Sequence, residues 1–321
     1  MNIAFLTPLG ALLGVLALVP LAVYLLRQRR ARRIRAALGL AAPSPALQAP
    51  LVLALAAVPA LLGLAGAQPV LESDRERLER TDAEVWVVLD ASRSMLASGG
   101  AGSPTRFDRA RELALRLAEE LPETPLGLAS MTDRVLPHVF PTTDTRVVAQ
   151  ALFESMGVER PGPTVSLTGT PTTTLDSLAS VPRLNYFSPA ARKRLLVVLT
   201  DAETRPLEQD LSAPFARQPR IATLLVRVGG PGERVFAAGV AEDAYQPPEG
   251  AAAALEQIAS QVEGRVFAEE DVADVVAAAR EALGTGPTRQ RIIEGERRAL
   301  MPWVALAAVL PLGLVLLRRN L

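Results

Sequence analysis

Residues 1 to 26 include no charged side chain, residues 36 to 71 again include none, and residues 299–317 form a third uncharged run. A helix of roughly 20 apolar residues is what crosses the hydrocarbon core of a bilayer, so these runs restrict the fold more than any other feature. Pro8 and Pro20 in the first run are tolerated in membrane helices. Pro43, Pro45 and Pro50 interrupt the start of the second and place its span at about Ala49–Gly66. The expected organisation is a transmembrane helix over 1–27, a basic loop over 28–48, a second transmembrane helix over 49–68, a folded domain over 84–285 and a third transmembrane helix over 300–317.

The basic cluster Arg27, Arg29, Arg30, Arg32, Arg33 and Arg35 follows the first apolar run and none precedes it. That order disfavours a cleaved signal peptide, whose basic region comes first. It fits the positive-inside bias instead, with the basic loop in the cytoplasm and the domain outside it. Trp303 at the outer end of the third run, and Arg318 and Arg319 after it, agree with that orientation. The expected location is the cytoplasmic membrane, spanned several times, with an extracytoplasmic domain.

Composition removes several chemistries. The chain has no cysteine, so disulfides, thiolate nucleophiles and Cys-ligated zinc are excluded. The single histidine, His138, makes a Ser-His-Asp triad or a multi-His metal site a poor fit. Thirty-four basic residues balance thirty-four acidic ones, which gives no support for nucleic-acid binding.

Between the second and third apolar runs, strand and helix patterns alternate. Val85-Trp86-Val87-Val88-Leu89-Asp90 is a short continuous apolar run, the pattern of a strand buried on both faces. Residues 106–121 repeat apolar side chains at helical spacing until Pro122. Residues 126–132 and 135–140 read as paired strands, and Asp144 as the cap of a helix reaching about Met156. Residues 195–200 and 221–228 read as further buried strands. Two helices, 251–262 and 271–283, flank a short strand at 265–267, and 231–250 reads as a surface loop. The alternation predicts an α/β fold, a doubly wound, mostly parallel, Rossmann-like sheet flanked by helices.

In such sheets ligands bind beyond the carboxyl ends of the strands. The first strand runs into Asp90-Ala91-Ser92-Arg93-Ser94, and the strand at 195–200 ends in Asp201. Gly169-Thr170-Pro171-Thr172-Thr173-Thr174 precedes a helix. Two carboxylates and a set of hydroxyls are hard oxygen donors, suited to Mg2+ or Mn2+, with Ca2+ as an alternative. They leave the ion partly uncompensated, with one position free for an acidic side chain of another protein. That requires Ser92 and Ser94 to face solvent. The bland alternatives are that the serines cap a helix, that Asp201 is a turn residue, and that His138, Arg93 and Arg106 are structural or surface residues.

With these motifs, residues 84–283 resemble a von Willebrand factor type A (VWA) domain with a metal-ion-dependent adhesion site. The resemblance implies Asp90, Ser92, Ser94, a threonine and Asp201 as metal ligands. Thr172 fits the threonine best because Leu178 follows six residues later, with Thr170 and Thr173 as alternatives. Ala202 departs from the family, which usually has glycine there. The layout of the whole chain resembles bacterial membrane VWA proteins of the Bat aerotolerance type, which implies other Bat-like subunits or a MoxR-type AAA+ ATPase as partners. The expected function is a metal-dependent protein-binding module with no catalytic residues. The alternatives are a structural membrane subunit with a degenerate metal site, and a metal-dependent hydrolase. The chain lacks a phosphate-binding loop, D-x-D and G-x-S-x-G, which speaks against the hydrolase.

Overall fold

The computed structural model describes residues 2–16, 18–39, 45–72, 75–164, 173–243, 245, 250–293 and 297–319. The chain divides into two units, 1–76 with 292–321, and 77–291.

In the first unit the strands Asn2–Phe5, Pro69–Glu72 and Arg297–Ala299 form a small antiparallel sheet with Pro69–Glu72 in the middle. The second apolar run is a helix over Pro45–Gly66, and the third a helix over Met301–Arg319 that packs along it. Among the described residues one helix, Ala49–Gly66, is long and apolar enough to cross a membrane; Met301–Leu317 is apolar but shorter.

The first run differs from the single helix expected over 1–27. It is divided into the strand, a 3-10 turn at Pro8–Leu12, a helical turn at Leu13–Leu16 and a helix at Leu18–Ala37. The arginines lie inside that last helix, so the basic segment is helical as far as Ala37. Arginine is a good helix former, and nothing in the sequence stops the helix at Leu26. Gly39, with φ of 67°, stands just beyond its end, where a left-handed glycine closes a helix. Gly14 and Gly63 let the first turn and the second helix meet, since a Cβ on Gly63 would lie 2.9 Å from the Gly14 Cα.

The second unit holds a six-stranded sheet. Its strands are β1 (Ala83–Asp90), β2 (Leu126–Met131), β3 (Val135–Thr142), β4 (Lys193–Thr200), β5 (Ile221–Arg227) and β6 (Arg265–Ala268). The order is β6-β5-β4-β1-β2-β3, parallel throughout except for β3, which returns antiparallel along one edge. The fold is therefore the α/β sheet that the alternation of elements predicts.

Side-chain alternation builds two cores. Val85, Val87 and Leu89 of β1 and Leu195, Val197 and Leu199 of β4 face one side. They pack with Phe107, Ala110, Leu113 and Leu117 of helix α1 (Arg106–Glu120), with Val148 of α2 (Thr145–Gln150) and with Val275 and Ala279 of α4 (Val272–Leu283). Trp86, Val88, Leu196 and Val198 face the other side, with Leu255 and Ile258 of α3 (Ala251–Val262) and with Leu175 and Leu178 of a 3-10 helix. Every one of these β1 and β4 side chains is fully buried, which is why both strands read as unbroken apolar runs rather than alternating ones.

α1 opens on a capping box. The Thr105 hydroxyl accepts from the Asp108 N–H, and the Asp108 carboxylate accepts from the Thr105 N–H. Asp144 caps α2 as expected, and a π-helical turn, Ala151–Ser155, continues α2 toward Met156. The segment expected as a surface loop over 231–250 contains a hairpin, Arg234–Ala237 with Val240–Ala241, whose first strand pairs with Ala97–Ser98. Pro, Gly and Ala obscured it, because the strands are two to four residues long.

Candidate metal centre

β1 and β4 are neighbours at the centre of the sheet. The chain leaves β1 toward β2 and β3 on one side and continues from β4 to β5 and β6 on the other. The crevice at such a switch point is where open α/β sheets bind ligands. Asp90 ends β1 and Asp201 follows β4, so the topology brings both carboxylates to that crevice.

Around Asp90 the hydroxyls gather. Oδ1 accepts from the Ser92 N–H at 2.9 Å and lies 3.5 Å from the Thr173 hydroxyl. Oδ2 accepts from the Thr200 hydroxyl at 2.6 Å. The Ser92 and Ser94 hydroxyls are 2.9 Å apart. Ser92 stands at the N-cap position of the 3-10 turn Arg93–Leu96, yet its side chain makes no capping bond. Helix capping therefore does not account for it. The Thr173 loop is tied to the loop after β4: the Arg205 N–H and the Thr204 hydroxyl both donate to the Thr173 carbonyl. Thr172 and Thr170 lie outside the described residues.

Asp201 has both oxygens engaged. Oδ1 accepts from the Glu203 N–H at 3.0 Å and Oδ2 from the Arg106 guanidinium at 3.0 Å. Arg106 is not the surface residue its position suggested. It is 4% exposed and also reaches Glu203 at 2.7 Å, Glu233 at 2.7 Å and the Tyr245 hydroxyl at 3.0 Å. Tyr245 in turn donates to Glu203. Arg93 is largely exposed and pairs with Glu242 at 2.6 Å. His138, expected as a structural or surface residue, bonds through Nε2 to the Ser130 hydroxyl at 2.7 Å.

Thr200, Arg106, Glu203, Glu233 and Tyr245 all escaped the sequence reading. A faint signal existed for Arg106. An arginine in the first turn of a helix opposes the helix dipole, and such a cation calls for acidic partners. Thr200 and Glu203 flank Asp201 in sequence and were within reach of the same reasoning.

The electrostatics follow from burial. Desolvation and the nearby Asp201 carboxylate push Asp90 up to about 7, against the pull of the Thr200 and Ser92 hydrogen bonds. Burial and Asp201 likewise raise Glu203. Burial works against the charge of Arg106, but Asp201, Glu203 and Glu233 outweigh it and raise its pKa. Two carboxylates in a dry crevice call for compensating positive charge, part of which Arg106 already supplies to Asp201.

The site is closed. Asp90 is 0% exposed, Ser92 3% and Ser94 9%, so the two serines do not face solvent as expected. The strand Arg234–Ala237 packs against the serine-bearing turn, and the adjoining Glu242 is clamped by Arg93. Among the described residues no group of three or more His, Asp and Glu side chains is placed to hold a metal. A hard cation would therefore rely on hydroxyl donors, which Ser92, Ser94 and Thr173 supply beside Asp90. On donor chemistry the residues fit such an ion.

A search of curated proteins returned no match. Among solved structures, the chain is similar to the conserved hypothetical protein BatB from Bacteroides thetaiotaomicron, at 20% identity and a TM-score of 0.51, over 63% of this chain and 100% of that one. It is also similar to an aerotolerance-related membrane protein from Bacteroides fragilis, at 18% identity and a TM-score of 0.50, over 63% of this chain and 98% of that one. At such identities the likeness speaks for the fold. Residues 85–203, from β1 to just past Asp201, match the family profile of the von Willebrand factor type A domain. With the sheet order and both strand-end aspartates inside that match, the chain carries a von Willebrand factor type A domain.

Proposed function

We propose that the domain is a divalent-metal-dependent protein-binding module held at a membrane. The observation that carries it is the gathering of Ser92, Ser94, Thr173 and Thr200 hydroxyls around the buried Asp90 carboxylate, beside Asp201. Asp90, Ser92, Ser94, Thr173 and Asp201 would hold the ion, Mg2+ before Mn2+ or Ca2+. The ion supplies a Lewis-acidic position for a carboxylate of the partner. Thr200 keeps Asp90 oriented, and the Glu203 N–H and Arg106 keep Asp201 oriented. Ser92 and Ser94 are buried, so a partner's side chain reaches the ion only after the residues around them shift, and partner binding includes an opening step.

The anchors are Pro45–Gly66 together with the apolar runs before and after it, and the three-pass arrangement with an extracytoplasmic domain rests on charge placement. Arg27 to Arg35 lie at one end of the first apolar segment and Arg318 and Arg319 at the end of the last. The similar Bacteroides fragilis structure is that of a membrane protein, which supports this location.

The test is capture on the full-length chain in detergent, with Mg2+ and with EDTA, on wild type and Asp90→Ala. A partner retained only by wild type with Mg2+ is expected. Equal retention in all four arms contradicts metal-dependent binding and favours a structural subunit with a degenerate site.

A further inference from the structure

Among the described residues Arg106 is the one guanidinium that reaches the candidate ligand Asp201, and it does so from a buried position. It donates to Asp201 Oδ2 at 3.0 Å, Glu203 Oε1 at 2.7 Å and Glu233 Oε2 at 2.7 Å, with side-chain exposures of 5%, 2%, 6% and 12% across the four groups. Space around it is tight. A Cβ on Gly229 would fall 2.5 Å from the Arg106 Nε, and Gly229 holds a φ of 123° that side chains rarely adopt. The backbone has been shaped to admit this side chain. Arg109, one turn on, pairs with the other oxygen of Glu233 at 2.7 Å and with Glu269 at 2.8 Å, so Glu233 is held from two sides.

Breaking one partner out of such a buried cluster leaves an uncompensated charge, so the cluster behaves as a unit. Its members come from three places: α1, the turn after β4, and the segment that leads from Gly229 through the hairpin to Tyr245. That last segment is the one packed against the serine turn.

We propose that Arg106 is the resident counter-cation of the metal-free site, holding Asp201 and the 229–245 segment together and opposing the entry of a divalent ion. The inference rests on the metal-binding reading above and adds what sets the affinity. A cation arriving at Asp201 meets a carboxylate already half neutralised, and it is repelled by a fixed positive charge in a low-dielectric crevice. The domain thus keeps its folded, closed form without metal, and loads weakly.

The experiment measures Mg2+ affinity by isothermal titration calorimetry, and metal-free melting temperature, on the full chain in detergent for wild type, Arg106→Gln, Arg106→Lys and the charge-neutral pair Arg106→Gln with Glu233→Gln. Arg106→Gln is expected to bind Mg2+ about tenfold tighter or more and to melt lower without metal. Arg106→Lys retains the charge and should stay near wild-type affinity, which a purely packing role would not produce. The double variant keeps the test open should Arg106→Gln fail to fold, and it too should bind more tightly than wild type.

Tighter binding by the glutamine variants supports the inference even where wild-type binding is too weak to measure. If wild type binds and the glutamine variants bind equally or more weakly, Arg106 organises the ligands rather than opposing the ion, and the inference is overturned while the metal reading stands. If no form binds, both fall.

Discussion

Replacing Asp90 by asparagine separates the electrostatic cost of the metal-free site from everything else the residue does. Asp90 is fully enclosed, and burial with the Asp201 carboxylate pushes it from an ordinary 3.8 up to about 7. Burial beside a second carboxylate therefore penalises the ionised form by on the order of a few kcal/mol. The sign follows from proton linkage. The folded state holds a proton that the unfolded chain has released between pH 3.8 and about 7, so stability falls as pH rises through that window and the full penalty applies above it. Asparagine carries no charge at any of these pH values. It keeps one acceptor oxygen in place of two and so loses about 1–2 kcal/mol of hydrogen bonding to the Ser92 N–H and the Thr200 and Thr173 hydroxyls. Without metal, Asp90→Asn is therefore expected to be more stable than wild type at pH 8, by on the order of 1 kcal/mol. At pH 4 it should be neutral or weaker. Adding Mg2+ should stabilise wild type and leave the variant unchanged. Urea unfolding of the detergent-solubilised chain, followed by the fluorescence of the buried Trp86, reports these differences. A variant less stable than wild type at pH 8, or a difference that does not change with pH, refutes the reasoning.

Three other substitutions probe the frame around the site. Ala202 sits at φ 63°, and glycine there relieves about 1–2 kcal/mol of left-handed strain while losing about 0.8 kcal/mol of buried methyl and some chain entropy. Ala202→Gly should thus melt close to wild type, and a large loss would show that the methyl is needed in the turn. Gly127→Ala sets a Cβ 2.9 Å from three atoms of the Trp86 ring, which is walled in on both sides, and should cost about 1–3 kcal/mol in denaturant unfolding. Thr105→Ala removes the hydroxyl half of the α1 capping box and should cost about 1 kcal/mol, with unchanged urea sensitivity of the slope.

The central sheet was readable because β1 and β4 are buried on both faces, and such strands leave unbroken apolar runs in the sequence. Both strands run into aspartates, so the sequence alone locates the crevice at the switch point. The start of α2 was legible because the Asp144 side chain bonds its own local backbone, whereas α1 was legible from its apolar spacing and Pro122, with the Thr105 cap seen only in the structure. Three things were not legible. The helix Leu18–Ala37 runs straight through the arginine cluster, since charge placement reports orientation and says nothing about where a helix stops. The hairpin after Gly232 is too short to show a period of two. The Arg106 cluster joins residues 95 to 139 positions apart, and no local pattern records a contact of that range. The burial of Ser92 and Ser94 was likewise not legible, because it depends on tertiary packing that no local pattern records.

Mn2+ binding to the detergent-purified chain, followed by electron paramagnetic resonance, tests the metal centre most directly. One saturable ion per chain, displaced by excess Mg2+ and lost in both Asp90→Ala and Asp201→Ala, is the predicted result. Neither wild type nor Arg106→Gln taking up a stoichiometric ion, or uptake undiminished by the two aspartate substitutions, would contradict it.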